Sequence, residues 1–148
     1  MDQQQIELVV FDWAGTAPSA VFDRVFSASG IHLTRAEINA PMGMEKKAHI
    51  RQLLSCASGK KQWAEKYGRP WNEADVERLY EEFEATLSKV VEEYSAPLPG
   101  VPETVAALRE MGLKIGSTTG YNARIMEQVI PKARALGYAA DCVITPDI

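Results

Sequence analysis

The chain has 148 residues, 46% of them hydrophobic and 24% charged, which is the balance of a soluble globular protein and room for one domain or a small core with an insertion. A net charge of −4 without any Lys/Arg cluster argues against nucleic-acid binding through a basic patch. No apolar run approaches the roughly 20 residues of a membrane helix. The stretch Met1–Gln5 lacks the Lys or Arg of a secretory signal, and Cys56 and Cys142 show no metal spacing, so a cytoplasmic protein with free thiols is expected.

Ile6 to Phe11 is a short apolar, β-branched run and predicts a buried parallel strand; Asp12 follows it, then a turn through Trp13, Ala14, Gly15 and Thr16. From Ala20 to about Tyr94 every signal is helical. Val21, Phe22, Val25 and Phe26 make an apolar stripe that ends before Gly30. Thr34 with Glu37 forms a capping-box pattern. Met42 to Ser55 reads as a further helix, and Lys60 to Tyr67 as another that stops at Gly68. Asn72 can cap a long helix whose buried face would be Val76, Leu79, Tyr80, Phe83, Leu87, Val90, Val91 and Tyr94. Trp63, Trp71 and Tyr80 are expected in the core of this block. Pro97-Leu98-Pro99-Gly100 breaks the helical pattern. A helix entered at Pro102 and closed at Gly112 comes next, then a strand at Leu113–Thr118, a helix from Asn122 to near Gly137, and a strand at Asp141–Thr145.

Strands alternating with helices indicate a parallel α/β sheet. The expected fold is a partial, Rossmann-like parallel sheet, residues 1–16 and 98–148, with an inserted all-helical cap, residues 17–97. Ligands in such sheets bind at the carboxyl ends of the strands, where Asp12 and the Thr118-Thr119-Gly120 segment fall.

By position alone, Asp12 is equally a nucleophile able to form an acyl phosphate and a strand-end carboxylate capping the next helix. Thr118 and Thr119 suit a phosphate followed by helix amides, and suit an ordinary strand-to-helix turn slightly better. On a helix from Met42 to Ser55, Ile50, Leu53 and Leu54 lie at i+4, i+7 and i+8 from Lys46, whereas Lys47 points away beside Arg51. A semi-buried lysine is shifted toward its neutral amine, which can form an imine with an aldehyde, and His49, one turn on, can move protons. Without other information a surface lysine laid along a core stripe is the more ordinary reading.

The segment Phe11-Asp12-Trp13-Ala14-Gly15-Thr16 resembles the first motif of the haloacid dehalogenase superfamily, in which an aspartate nucleophile precedes a Gly-Thr turn. Phosphatases of that superfamily carry a second, proton-transferring Asp where this chain has Ala14, and losing such a group typically costs 10²–10⁴-fold in ester hydrolysis. Together with Pro41-Met42-Gly43, Lys46, His49 and Gly116-Ser117-Thr118-Thr119-Gly120-Tyr121, the chain is similar to the phosphonoacetaldehyde hydrolases from Leu8 to Asp147. The resemblance implies hydrolysis of phosphonoacetaldehyde to acetaldehyde and phosphate with Mg²⁺, by a homodimeric cytoplasmic enzyme. It assigns Asp12 as nucleophile, Lys46 as imine former and His49 as its proton-transfer partner. It places Met42 against the substrate, Thr119 on the phosphoryl group with Gly120 shaping that loop, and the metal on Asp12 and the Ala14 carbonyl.

Two departures from the family pattern temper this. The sequence runs to Thr145-Pro146-Asp147-Ile148 without the family's later Gly-Arg-Pro and Gly-Asp-rich segments, so a fragment with weak Mg²⁺ affinity and impaired turnover is expected. The loop Thr16-Ala17-Pro18 is also shorter than the family's hinge. The alternatives are a general phosphatase of the superfamily, which Ala14 argues against, and an inactive remnant that binds a partner through its exposed sheet edge and cap helices.

Overall fold

The structure is a computed structural model that describes residues 6–13 and 16–147. The chain divides into two compact units, Met1–Ala14 with Ser95–Ile148, and Gly15–Tyr94.

The first unit is built on a three-stranded parallel sheet of order β1 (Leu8–Trp13), β2 (Lys114–Thr119) and β3 (Cys142–Ile144). Helices α6 (Val101–Glu110) and α7 (Ala123–Ala135) make the crossovers between these strands. Pro102 sits in the first turn of α6, and Asn122 caps α7 by accepting from the Ile125 amide at 3.0 Å. Gly112 and Gly137 turn the chain out of the two helices with φ of 82° and 96°, a conformation in which a Cβ is strained.

The sheet's core lies on one face. Val105, Ile115, Ala133 and Tyr138 are buried there, and Phe11, Trp13, Val101, Leu108 and Ala140 pack against them. Side chains along a strand alternate between faces, so Leu8, Val10 and Asp12 all point the other way. On that face Leu8, Val10 and Ile144 are 51, 52 and 50% exposed. The expected buried strand is therefore covered on a single face, and it begins later and ends later than its apolar run suggests. The turn expected from Trp13 starts beyond it, because Asp12 and Trp13 remain in the ladder opposite Thr118 and Thr119.

The second unit is helical: α1 (Thr16–Ala28), α2 (Arg35–Asn39), α3 (Lys46–Ser55), α4 (Ala57–Tyr67), α5 (Glu73–Val90) and a 3₁₀ turn, Val91–Tyr94. The stripe of α1 is buried in full, with Phe22 stacked on Phe83 of α5 at 4.4 Å between ring centroids. Along α5, Val76, Leu79, Phe83 and Leu87 are buried, and Val91 continues that face. Tyr80 and Val90 are half-buried, and Tyr94 is exposed. Trp63 is fully buried and Trp71 half-buried. Both capping boxes form, Thr34 with Glu37 and Asn72 with Asp75. Gly68 closes α4 in the left-handed region. The pair Arg69–Asp75, with two 2.7 Å bonds, pins the start of α5 and holds the Asp75 carboxyl below its usual range.

Among the described residues no helix is long and apolar enough to cross a membrane.

Candidate functional site

The candidate residues fall in two groups, one in each unit. In the sheet unit, Asp12 stands exposed at the carboxyl end of β1 and pairs in register with Thr118, while Trp13 pairs with Thr119. Thr118 shares the exposed face with Asp12. Thr119 is half-buried. Its hydroxyl donates to the Trp13 carbonyl at 3.4 Å and accepts from the Tyr121 amide at 3.1 Å. It thus ties the tip of β1 to the loop entering α7, in which Gly120 makes the bend. Tyr121 is buried, and its desolvation holds the phenol protonated at any ordinary pH. Past β3, the Asp147 carboxylate accepts from the Ala123 amide at 3.0 Å, so the first turn of α7 already faces an anion. Ala14 lies outside the described residues.

In the helical unit the first turn of α3 is decisive. The sequence predicts a helix from Met42, whereas α3 starts at Lys46. Two features delay it. Gly43 sits at φ 99° in a turn where the Met44 amide donates to the Pro41 carbonyl at 3.2 Å. Glu45 then takes the cap, its carboxylate accepting from the Lys47 and Ala48 amides at 2.9 Å each. Met42 is consequently a half-buried turn residue. Glutamate is not among the favoured N-cap types, and the sequence signal for this cap is correspondingly faint.

The cap separates two adjacent lysines. Lys46 is 7% exposed, on the same face of α3 as His49, Ile50, Leu53 and Leu54. Lys47 is half-buried against α5, where Glu77 binds its amine at 2.9 and 2.7 Å and the Tyr80 ring centroid lies 5.0 Å away. Its amine thus lies between a carboxylate and an aromatic face.

His49 is fully buried, its ring 4.0 Å from that of Phe22. Its Nε2 lies 2.8 Å from the Ile38 carbonyl. A carbonyl only accepts, so the proton belongs on Nε2 and the lone pair on Nδ1. That Nδ1 is buried and has no hydrogen-bond partner among the described residues. Burial, against the bond to Ile38 and with the nearby Lys46 charge, lowers the His49 pKa to about 4. At neutral pH it is an uncharged imidazole whose one open valence accepts. Ile38 also lines a cavity of about 400 Å³ with Ser19, Ala20, Asp23 and Arg35, none of them a residue expected at the site.

Among the described residues no three His, Cys, Asp or Glu side chains converge. The oxygen donor of Asp12 suits a hard cation such as Mg²⁺, which keeps several waters and binds through one or two carboxylates plus substrate oxygens.

A family model for haloacid dehalogenase-like hydrolases matches residues 6–148. A phosphonoacetaldehyde hydrolase of Bacillus cereus is 42% identical over 97% of this chain, which covers 57% of that protein. A bifunctional phosphonoacetaldehyde hydrolase/aminoethylphosphonate transaminase of Clostridioides difficile is 45% identical, again over 97% of the chain but 24% of the larger protein. The chain thus spans little more than half the length of the single-function curated relatives it matches. Among solved structures, a phosphonoacetaldehyde hydrolase-like protein from Oleispira antarctica superposes with a TM-score of 0.91 at 32% identity, over 96% of this chain and 54% of that one. A predicted phosphoglycolate phosphatase from Haemophilus somnus, 11% identical with a TM-score of 0.71, shares the fold.

Proposed function

The chain belongs to the haloacid dehalogenase-like hydrolases, and on that premise we propose that it carries the residues for cleaving the carbon–phosphorus bond of phosphonoacetaldehyde. The observation that carries this reading is the burial of Lys46 beside His49 on an apolar helix face. The uncharged amine, formed when the ammonium sheds a proton, is what an aldehyde needs.

The chemistry runs as follows. The Nζ of Lys46 attacks the aldehyde carbon, water leaves, and a protonated imine results. His49 Nδ1 takes the proton that the amine sheds on attack and returns it to the carbinolamine oxygen, which with one more proton from solvent leaves as water; Nε2 stays committed to Ile38. A carboxylate oxygen of Asp12 then attacks phosphorus. The P–C bonding pair moves into the imine and gives an enamine, while phosphorus passes to Asp12 as an acyl phosphate. Carbon protonation of the enamine and hydrolysis of the imine release acetaldehyde and restore Lys46. Water attacks the acyl phosphate and releases phosphate. No alkoxide forms, so alanine suffices at position 14, where an ester hydrolase needs an acid.

Thr119 orients the phosphoryl-binding loop and Met42 borders the aldehyde end. A bound Mg²⁺ would neutralise charge on the phosphoryl oxygens, held by Asp12 and the carbonyl of Ala14. The resemblance adds a homodimer to the reading, which sedimentation would test.

The deciding experiment adds phosphonoacetaldehyde, reduces with borohydride and maps the adduct by mass spectrometry. The adduct is expected on Lys46 and absent in Lys46→Arg, whose guanidinium stays protonated. An adduct on Lys47, or none at all, overturns the reading.

A further inference from the structure

We propose that Tyr138 and Ser117 form a clamp that positions the nucleophile, by gripping from behind the strand tip on which Asp12 stands. The proposal rests on the assignment of Asp12 above and adds residues to it.

Asp12 is flanked by Phe11 and Trp13, and strand alternation places both of their side chains on the covered face of the sheet. One ring meets both. Tyr138 stands edge-on to Phe11, with centroids 6.0 Å apart and planes at 83°, and edge-on to Trp13, at 5.0 Å and 85°. Edge-to-face packing is directional, so the Tyr138 ring constrains the tilt of both neighbours.

The ring is itself held at both ends. Gly137, at φ 96°, folds the chain back from α7, and the Tyr138 amide donates to the Ala133 carbonyl at 2.9 Å. At the far end the Tyr138 hydroxyl hydrogen-bonds the hydroxyl of Ser117. Ser117 is the register partner of Phe11, so the hydroxyl pair lies directly across from the residue preceding Asp12. Tyr138 and Ser117 are 5 and 1% exposed.

A phenylalanine and an alanine would fill nearly the same space without any buried polar group to desolvate. A lone buried hydroxyl pair contributes little net stability, but it admits one orientation of the ring. The third hold on the tip comes from the neighbouring strand, where Thr119 donates to the Trp13 carbonyl. Side chains on both sides of Asp12 are thereby fixed, while Asp12 itself stays exposed. An in-line attack needs that arrangement, since a displacement of about 1 Å at a reacting group costs on the order of 10²-fold in rate.

The test compares Tyr138→Phe, Ser117→Ala and the double variant with the unaltered chain. The first readout needs no turnover. In protein labelled with 5-fluorotryptophan, the Trp13 resonance is identified by its loss in Trp13→Phe. It is expected to shift and broaden to the same extent in all three variants, with the Trp63 and Trp71 lines unmoved. The second readout is hydrolysis of phosphonoacetaldehyde. We expect kcat to fall about tenfold with KM within about twofold, and the double variant to be no worse than either single one, because the two hydroxyls act as a unit. A Trp13 line unchanged in both single variants overturns the clamp, as does a Trp13 change with kcat intact. If the unaltered chain shows no hydrolysis and no Lys46 adduct, it is the functional reading that fails, and the fluorine spectra alone decide the clamp.

Discussion

The helical unit buries the apolar stripes of its long helices, whereas the sheet unit covers one face and leaves Leu8, Val10 and Ile144 half in water. The contrast separates two kinds of information in a hydrophobic run. In an amphipathic helix the stripe itself says which side is buried, because the polar residues between mark the rest as solvent. In a parallel strand the run carries no such mark, since both faces read as apolar whether or not both are covered. Residues that look equally like core in the sequence therefore differ greatly in what they contribute, and that difference can be measured.

The largest effect belongs to the closed core. Phe22 is fully buried between Phe83 and His49, so Phe22→Ala should cost about 3–5 kcal/mol, seen as a lower denaturant midpoint for the helical unit. A smaller effect follows from the imidazole in the same core. The His49 pKa is about 4 when folded, below the ordinary value of 6.5, so between these pH values the unfolded chain binds the extra proton. Its contribution is whole above pH 6.5, declines as the pH falls toward 4 and changes no further below that. Between pH 7 and 5 the helical unit should lose about 2 kcal/mol, and the slope should flatten in His49→Gln. The smallest effect belongs to the open face. Val10→Thr should change stability by no more than about 0.5 kcal/mol. A loss comparable to that of Phe22→Ala would mean that the face of Val10 is covered in solution, and would erase the contrast.

The helical unit was legible where local chemistry suffices. The stripes of α1 and α5, the capping boxes at Thr34 and Asn72, and the stop at Gly68 all follow from residues within a few positions of one another. The start of α3 was not, because Glu45 replaces the usual cap types and Gly43 uses a left-handed turn. The pairing of Lys46 with His49 on one face was readable from helical spacing. The tautomer of His49 was not, since it depends on the carbonyl of Ile38 arriving from another helix. The same holds in the sheet. Asp12 and Thr119 could be placed at strand ends from pattern alone. Commitment of the Thr119 hydroxyl to the Trp13 carbonyl, and the meeting of Ser117 with Tyr138, arise from the parallel register, which no short window contains.

The one-sided β1 makes the place of Asp12 a matter of parity. Phe11 and Trp13 are gripped, so Asp12 is outward because it is the even member between two odd ones. Lengthening the segment before it by two residues would preserve that sense. Adding or losing one would turn the carboxylate inward against an aromatic cluster and present a ring to the solvent in its place. Length variation ahead of this aspartate is thus expected in steps of two, even where the residues it passes through are interchangeable.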